Sequence, residues 1–215
     1  MGKNEMIKIL IADDHAIVRE GLKQIVAETS NMFVAGEAAS GHQVLELVRE
    51  SEWDVVLLDI NMPGRGGMDT LKELKIERPE LPVLVLSMYP EEQYAIRSLK
   101  AGAAGYLTKE SAPEELISAI RKVSLGGKYV SASLAEKLAS HLAMDIEKPV
   151  HEILSDREYQ VMLLIASGMT VKEVADKLSL SVKTISTNRT RIMNKTGMKS
   201  NAEIIHYAIK QGLVD

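Results

Sequence analysis

The 215-residue sequence predicts an α/β domain built on a doubly wound, five-stranded parallel sheet, followed by an all-α four-helix domain carrying a helix-turn-helix. Three observations predict it. Short apolar runs alternate with amphipathic helical stretches five times before Gly126, the pattern of successive βα units. Beyond Val150 only short helices with strong start signals follow. Within the βα stretch, Val55-Val56-Leu57-Leu58 runs without a polar break into Asp59 and the turn Ile60-Asn61-Met62-Pro63-Gly64. Four consecutive aliphatic residues are too few for a helix and too apolar for a half-exposed strand, so they read as a parallel strand covered on both faces.

The elements follow in order. Residues 7–12 form a first strand ending in Asp13-Asp14, with Asp14 at the N-cap position of a helix over 16–27. A strand at 33–38, a helix at 43–49, the Asp59 strand and a helix at 68–77 come next. The fourth pair is a strand at 83–87 and a helix at 93–101; the fifth strand, 105–108, ends at Lys109. Ser111-Ala112-Pro113-Glu114 opens the fifth helix with a cap, a proline near N1 and a box glutamate. Pro63-Gly64-Arg65-Gly66-Gly67 lacks the lysine and hydroxyl pair of a P-loop and reads as a turn. Gly126-Gly127 closes the first domain, 1–127. A linker over 128–150 carries a connecting helix at 131–144, with Leu134, Leu138 and Leu142 on one stripe, and ends in 145–150 with Pro149. In the second domain, 151–215, Ser155 with Glu158 and Thr170 with Glu173 form capping boxes, and Leu154 is placed to staple onto Tyr159. The helices are expected over 156–167, 171–178, 182–196 and 200–210, with Gly168 and Gly197 as stops.

Composition narrows the functional classes. No cysteine occurs, which excludes disulfides, thiolate chemistry and thiolate-bound zinc and fits a reducing compartment. Residues 1–8 lack the apolar core of a signal peptide, and no apolar run approaches the ~20 residues of a membrane helix. A soluble, cytoplasmic protein without membrane partners is expected. The net charge of −4 is uneven: nine Lys and Arg face seven Asp and Glu after Val150, a balance of +2, leaving −6 before it. Between Lys177 and Glu203 there is no acidic residue, while Lys183, Arg189, Arg191, Lys195 and Lys199 are positive, a footprint suited to phosphates.

Five side chains fall at carboxyl ends of the expected strands: Asp13, Asp14, Asp59, Ser87 and Lys109. In open α/β sheets that is where ligands sit. Three carboxylates together repel and call for a hard cation, and Mg²⁺ held by carboxylates, a carbonyl and water leaves positions open for phosphoryl oxygens. A lysine and a hydroxyl opposite would neutralise and hydrogen-bond those oxygens.

With these residues in place, the first 125 residues resemble the receiver domains of bacterial two-component response regulators, which have a flavodoxin-like fold. The resemblance implies that Asp59 is the phospho-acceptor and that Asp13, Asp14, Asp59 and the backbone carbonyl of Asn61 surround Mg²⁺. It implies that Ser87 is the switch hydroxyl, Lys109 the phosphate partner and Tyr106 the switch aromatic, with Asn61 and Tyr89 tuning dephosphorylation. Ser87 stands where threonine is commoner, and Glu110 where many receivers have proline.

The 182–196 helix has a readable wheel. Val182, Ile185 and Ile192 are expected inside; Lys183, Ser186, Thr187, Thr190, Arg191 and Asn194 share the opposite face. Short hydroxyls flanked by cations suit a major groove. Residues 154–207 resemble the effector domain of NarL/FixJ (LuxR-type) regulators through Leu154-Ser155-Asp156-Arg157-Glu158, Lys172-Glu173-Val174-Ala175 and the start of this helix. That resemblance implies double-stranded DNA contacts by Lys183, Thr184, Ser186, Thr187, Asn188, Thr190 and Arg191, and a dimer surface on the last helix. Asn188 replaces a more usual histidine, and Arg189 stands where an aliphatic residue is expected.

The expected protein is a regulator phosphorylated by a histidine kinase, dimeric on activation and not an enzyme beyond slow Mg²⁺-dependent self-dephosphorylation. A Mg²⁺-dependent phosphohydrolase is the rival of another class, but Asn61 stands where its acid/base aspartate belongs. A regulator working unphosphorylated and an RNA binder are further alternatives; the second is disfavoured because only Tyr159 and Tyr207 are aromatic after Val150.

Overall fold

The computed structural model describes residues 6–62, 66–143 and 149–214, apart from the side chains at 137, 138 and 140–143. The chain divides into two compact units, Met1–Ala139 and Ser140–Asp215. The first alternates β1 (Ile7–Ala12), α1 (Ala16–Ala27), β2 (Met32–Ala38), α2 (Gly41–Glu50), β3 (Val55–Asp59), α3 (Gly67–Glu77), β4 (Val83–Ser87), α4 (Glu91–Lys100), β5 (Gly105–Thr108) and α5 (Pro113–Ser124). Then α6 spans Ala132–Ala143. The sheet is wholly parallel, in the order β2-β1-β3-β4-β5. β3 and β4 are buried along their whole length, as uninterrupted aliphatic runs require. β2 alternates in burial, with Phe33 40% exposed, because it lies at the sheet edge.

This order reverses between β1 and β3, opening a crevice at their carboxyl ends. Ala12 pairs with Leu58 and Asp59 with Leu86, so Asp13 and Asp59 reach one level. Ser87 pairs with Thr108, which puts Lys109 just beyond. α3 begins hard against this level: a Cβ on Gly67 would lie 2.2 Å from the Asp59 carbonyl oxygen and 2.4 Å from Ile60 Cα.

Two expected caps did not form. The N-cap of α1 is His15, without a side-chain bond, and not Asp14, whose carboxylate lies in the crevice instead. α5 is capped by Ala112, with Pro113 opening the helix, and Ser111 turns back to Thr108. Leu134 is buried, while Leu138 and Leu142 of the expected stripe lie outside the described side chains. The Pro63-Gly64-Arg65 part of the expected turn and linker residues 145–148 also lie outside the described residues.

The second unit opens with a 3-10 turn, Val150–Ile153, followed by α7 (Asp156–Ala166), α8 (Val171–Lys177), α9 (Val182–Thr196) and α10 (Asn201–Lys210). α7 is buried from Val161 to Ala166 and is the unit's centre. Both capping boxes form as the sequence predicts, and Gly197 ends α9 at φ +75°. Glu158, 3% exposed, accepts the Ser155 N–H at 2.8 Å and Lys195 Nζ at 2.6 Å, tying α7 to the end of α9. Among the described residues no helix is long and apolar enough to cross a membrane.

Two outcomes follow. Gly67→Ala is expected to cost about 1–3 kcal/mol by overpacking, read by urea denaturation. For Glu158, burial pushes the carboxyl pKa up, but bonds from Lys195 and Ser155 outweigh it and leave the pKa below the ordinary value. Its contribution is therefore full above the unfolded carboxyl pKa and is lost as pH falls through the folded value. Glu158→Gln should lower the melting temperature near neutral pH and narrow its difference from wild type on acidification.

Candidate functional site

The crevice gathers the side chains that the sequence placed there. Asp13 and Asp59 are each 1% exposed, and one cation bridges them: Lys109 Nζ lies 2.5 Å from Asp13 Oδ2 and 2.7 Å from Asp59 Oδ2. Asp59 Oδ1 accepts the Asn61 N–H at 2.8 Å, which folds the turn after β3 back over the carboxylate. Asp13 Oδ1 accepts the His15 N–H at 2.8 Å, and the Asp13 carbonyl accepts Arg19 Nη1 at 2.7 Å. Ligand atoms from Asp13, Asp14, His15 and Asp59 all lie within 4.8 Å of one another.

Charge does not balance here. Three carboxylates lie together, and Lys109 bonds to two of them, Asp13 and Asp59. Burial pulls the Lys109 pKa down, but its bonds to Asp13 and Asp59 more than offset this, and the pKa lies above the ordinary value. Burial pushes the Asp59 pKa up; Lys109 and the Asn61 N–H reduce the rise without cancelling it, and Asp13 adds to it. The lysine is thus held charged while Asp59 still lacks compensation. Asp14 Oδ1 is buried without a hydrogen-bond donor; His15 Nδ1 lies 3.0 Å away but is not aligned as one. Three carboxylates, one with an orphaned buried oxygen, fit a hard divalent cation.

A second group of residues lies along β4 and β5. Ser87 is fully buried, and its Oγ accepts the Tyr89 N–H at 3.0 Å. Tyr106 is fully buried, and its hydroxyl donates to the Tyr89 carbonyl at 2.8 Å. The Tyr89 ring stacks on Tyr94 with centroids 5.1 Å apart. Both switch candidates therefore hold one turn, at residues 88–90.

In the second unit, Lys183, Thr184, Ser186, Thr187, Thr190 and Arg191 are exposed on α9. Asn188 is not: it is 7% exposed, and its Nδ2 donates to the Thr184 carbonyl at 3.0 Å. It lies one turn from both Ile185 and Ile192 and shares their buried stripe. Val182, expected inside, is 51% exposed at the first helical position, a turn ahead of Ile185 where the buried stripe begins. Arg189 is half-buried, its Nε donating to Asn201 Oδ1 at 2.6 Å, so it joins α9 to α10.

Sequence reasoning missed His15 and Arg19 at the acidic crevice. Adjacency to Asp13-Asp14 was the available signal for His15; Arg19 reaches Asp13 through a backbone carbonyl, which leaves no residue-type signature.

A doubly wound sheet with a lysine-bridged acidic crevice, joined to a helix-turn-helix unit, defines a receiver coupled to a DNA-binding effector. Residues 9–121 match the response regulator receiver domain, and residues 152–208 match the bacterial regulatory proteins of the luxR family. The chain belongs to the response regulators, in the NarL/FixJ branch with a LuxR-type DNA-binding domain. It is 40% identical over 212 residues to response regulator GacA of Pseudomonas aeruginosa, covering 98% of this chain and 99% of GacA. It is 35% identical over 209 residues to response regulator UvrY of Escherichia coli, covering 97% and 96%. Among solved structures it is similar to the RcsB response regulator of Salmonella typhimurium, with TM-score 0.69 and 27% identity over 96% of this chain and 98% of that one. RcsB from Salmonella enterica serovar Typhimurium, bound to promoter rprA with the phosphomimetic BeF3-, matches with TM-score 0.66 and 27% identity, covering 94% and 98%.

Lys109→Gln would leave Asp13 and Asp59 buried without their cation, an expected loss of about 3–5 kcal/mol at neutral pH. A carboxyl whose folded pKa is raised costs stability above that pKa and is relieved as pH falls through it. Denaturation of the variant at pH 7 and pH 5 should therefore show the deficit shrinking at the lower pH.

Proposed function

We propose that this protein is a transcription regulator in which Asp59 accepts a phosphoryl group from a histidine kinase and thereby controls DNA binding through α9. The observation that carries the reading is Lys109 bridging Asp13 and Asp59 in a chain whose other unit exposes a cationic helix. A carboxylate oxygen of Asp59 attacks phosphorus, the P–N bond of the kinase phosphohistidine breaks, and the ring nitrogen keeps the bonding pair and takes a proton from water. Lys109 moves from carboxylate to phosphoryl oxygen, and Ser87 donates its hydroxyl to another. Asp13, Asp14, Asp59 and the Asn61 carbonyl would hold Mg²⁺, which supplies neutralisation of the phosphoryl oxygens. Self-dephosphorylation is slow, with Asn61 and Tyr89 beside the acyl phosphate.

On α9 the proposed DNA contacts are Lys183, Thr184, Ser186, Thr187, Thr190 and Arg191; the burial of Asn188 removes it from that set. Activation pairs two copies on two half-sites of double-stranded DNA. The protein acts in the cytoplasm, where kinase and DNA meet. The domains proposed are 1–127, 128–150 and 151–215.

Sedimentation with Mg²⁺ and beryllofluoride tests this. Mass is expected to rise in wild type and stay at the monomer value in Asp59→Ala. If intact-mass measurement shows no phosphoryl uptake from acetyl phosphate by wild type, or equal uptake by Asp59→Ala, the reading fails.

A further inference from the structure

The connecting helix α6 is fastened to the receiver at two points. Its approach, residues 128–131, lies along β5: the Tyr129 N–H donates to the Ala104 carbonyl at 2.8 Å, and Tyr129 forms a parallel bridge with Gly105. A Cβ on Gly105 would lie 2.8 Å from the Tyr129 carbonyl oxygen, so this seat requires glycine. Lys128 Nζ donates to the Ala103 carbonyl at 2.9 Å. The second point is on α4. The Ser131 hydroxyl donates to Glu91 Oε2 at 2.6 Å, while its oxygen accepts the Leu134 N–H at 3.0 Å. One hydroxyl therefore both caps α6 and binds the first residue of α4.

That residue stands two positions after Tyr89. The Tyr89 N–H rests on Ser87 Oγ, and its carbonyl on the Tyr106 hydroxyl. Between Ser87 and Glu91 there are only Met88, Tyr89 and Pro90. A rotation of Ser87 about χ1 toward a phosphoryl oxygen would withdraw its Oγ from the Tyr89 N–H. A shift of this turn carries the first turn of α4, and with it the Glu91 carboxylate, away from or toward Ser131. The β5 seat, made of backbone bonds, stays.

We propose that Glu91 and Ser131 are positioning residues that pass the state of Asp59 to the connecting helix. The pair acts as a latch: Tyr129 fixes where the linker leaves the sheet, and the Glu91–Ser131 bond fixes how α6 starts. This rests on the receiver reading above, and the test separates the two.

The test reads hydrogen exchange at the amides of Leu134 and Ala135, which bond to the Ser131 Oγ and carbonyl, with and without acetyl phosphate and Mg²⁺. Phosphoryl occupancy is read in parallel by intact mass. In wild type the exchange is expected to change roughly fivefold or more on phosphorylation. Glu91→Ala keeps the cap but removes the latch, so basal exchange should stay near wild type while the response disappears at unchanged occupancy. Ser131→Ala should raise basal exchange and lose the response; Ser131→Thr, retaining the hydroxyl, should keep both. A wild-type-sized response in Glu91→Ala overturns the proposal. So does a fully phosphorylated wild type without a response. A wild type that takes up no phosphoryl group overturns the receiver reading first, and the latch with it.

Discussion

The receiver unit depends on one electrostatic constraint: two carboxylates and one ammonium are held together out of water, with a third, partly exposed carboxylate beside them. Burying ions is costly unless they are paired and hydrogen-bonded, and one lysine cannot satisfy three acids. The chain meets most of that cost with backbone. The Asn61 N–H bonds to Asp59, the His15 N–H to Asp13, and Lys109, at the end of β5, to both. What remains is a net negative deficit beside an orphaned Asp14 oxygen. The site is therefore unfinished by its own chemistry, and a divalent cation with a phosphoryl group would complete it.

The rest of the fold serves that deficit. The sheet order places β1 and β3 as neighbours at the reversal, so two acidic strand ends meet without a long loop. Gly67 lets α3 begin against the Asp59 backbone, closing the turn from behind. Ser87 and Tyr106 converge on the backbone of Tyr89 rather than on the carboxylates. A change of charge at Asp59 thus has a mechanical outlet, because the hydroxyl that would answer it already holds a turn in place.

Much of this was legible because it is local. Uninterrupted aliphatic runs named β3 and β4, and Ser155-x-x-Glu158 and Thr170-x-x-Glu173 named helix starts, since each feature is decided within a few residues. The same reasoning failed at Asp14 and Ser111, which have cap-forming side chains but other partners: the acidic crevice for one, Thr108 for the other. Asn188 failed differently. The family resemblance, not the wheel, named it a DNA contact, yet it lies in the buried stripe, where its amide donates to the Thr184 carbonyl of its own helix, which lowers the cost of burial. The Glu91–Ser131 bond joins residues 40 positions apart and had no local sign.

The face of α9 illustrates how that self-satisfaction shapes recognition. The Thr187 and Thr190 hydroxyls donate back to the Lys183 and Ser186 carbonyls, at 2.9 and 3.1 Å. Their protons are committed to the helix, so outward they present oxygen lone pairs, which match amine donors such as the exocyclic groups of adenine and cytosine. Donor strength on this face comes from Lys183 and Arg191, whose long side chains suit phosphates. In the proposed function the labour would divide by residue type: cations would supply salt-sensitive affinity, and the short oxygens discrimination. One such helix would offer few base contacts, and pairing two copies would double them. In the proposed function this makes dimerisation the natural quantity for phosphorylation to control.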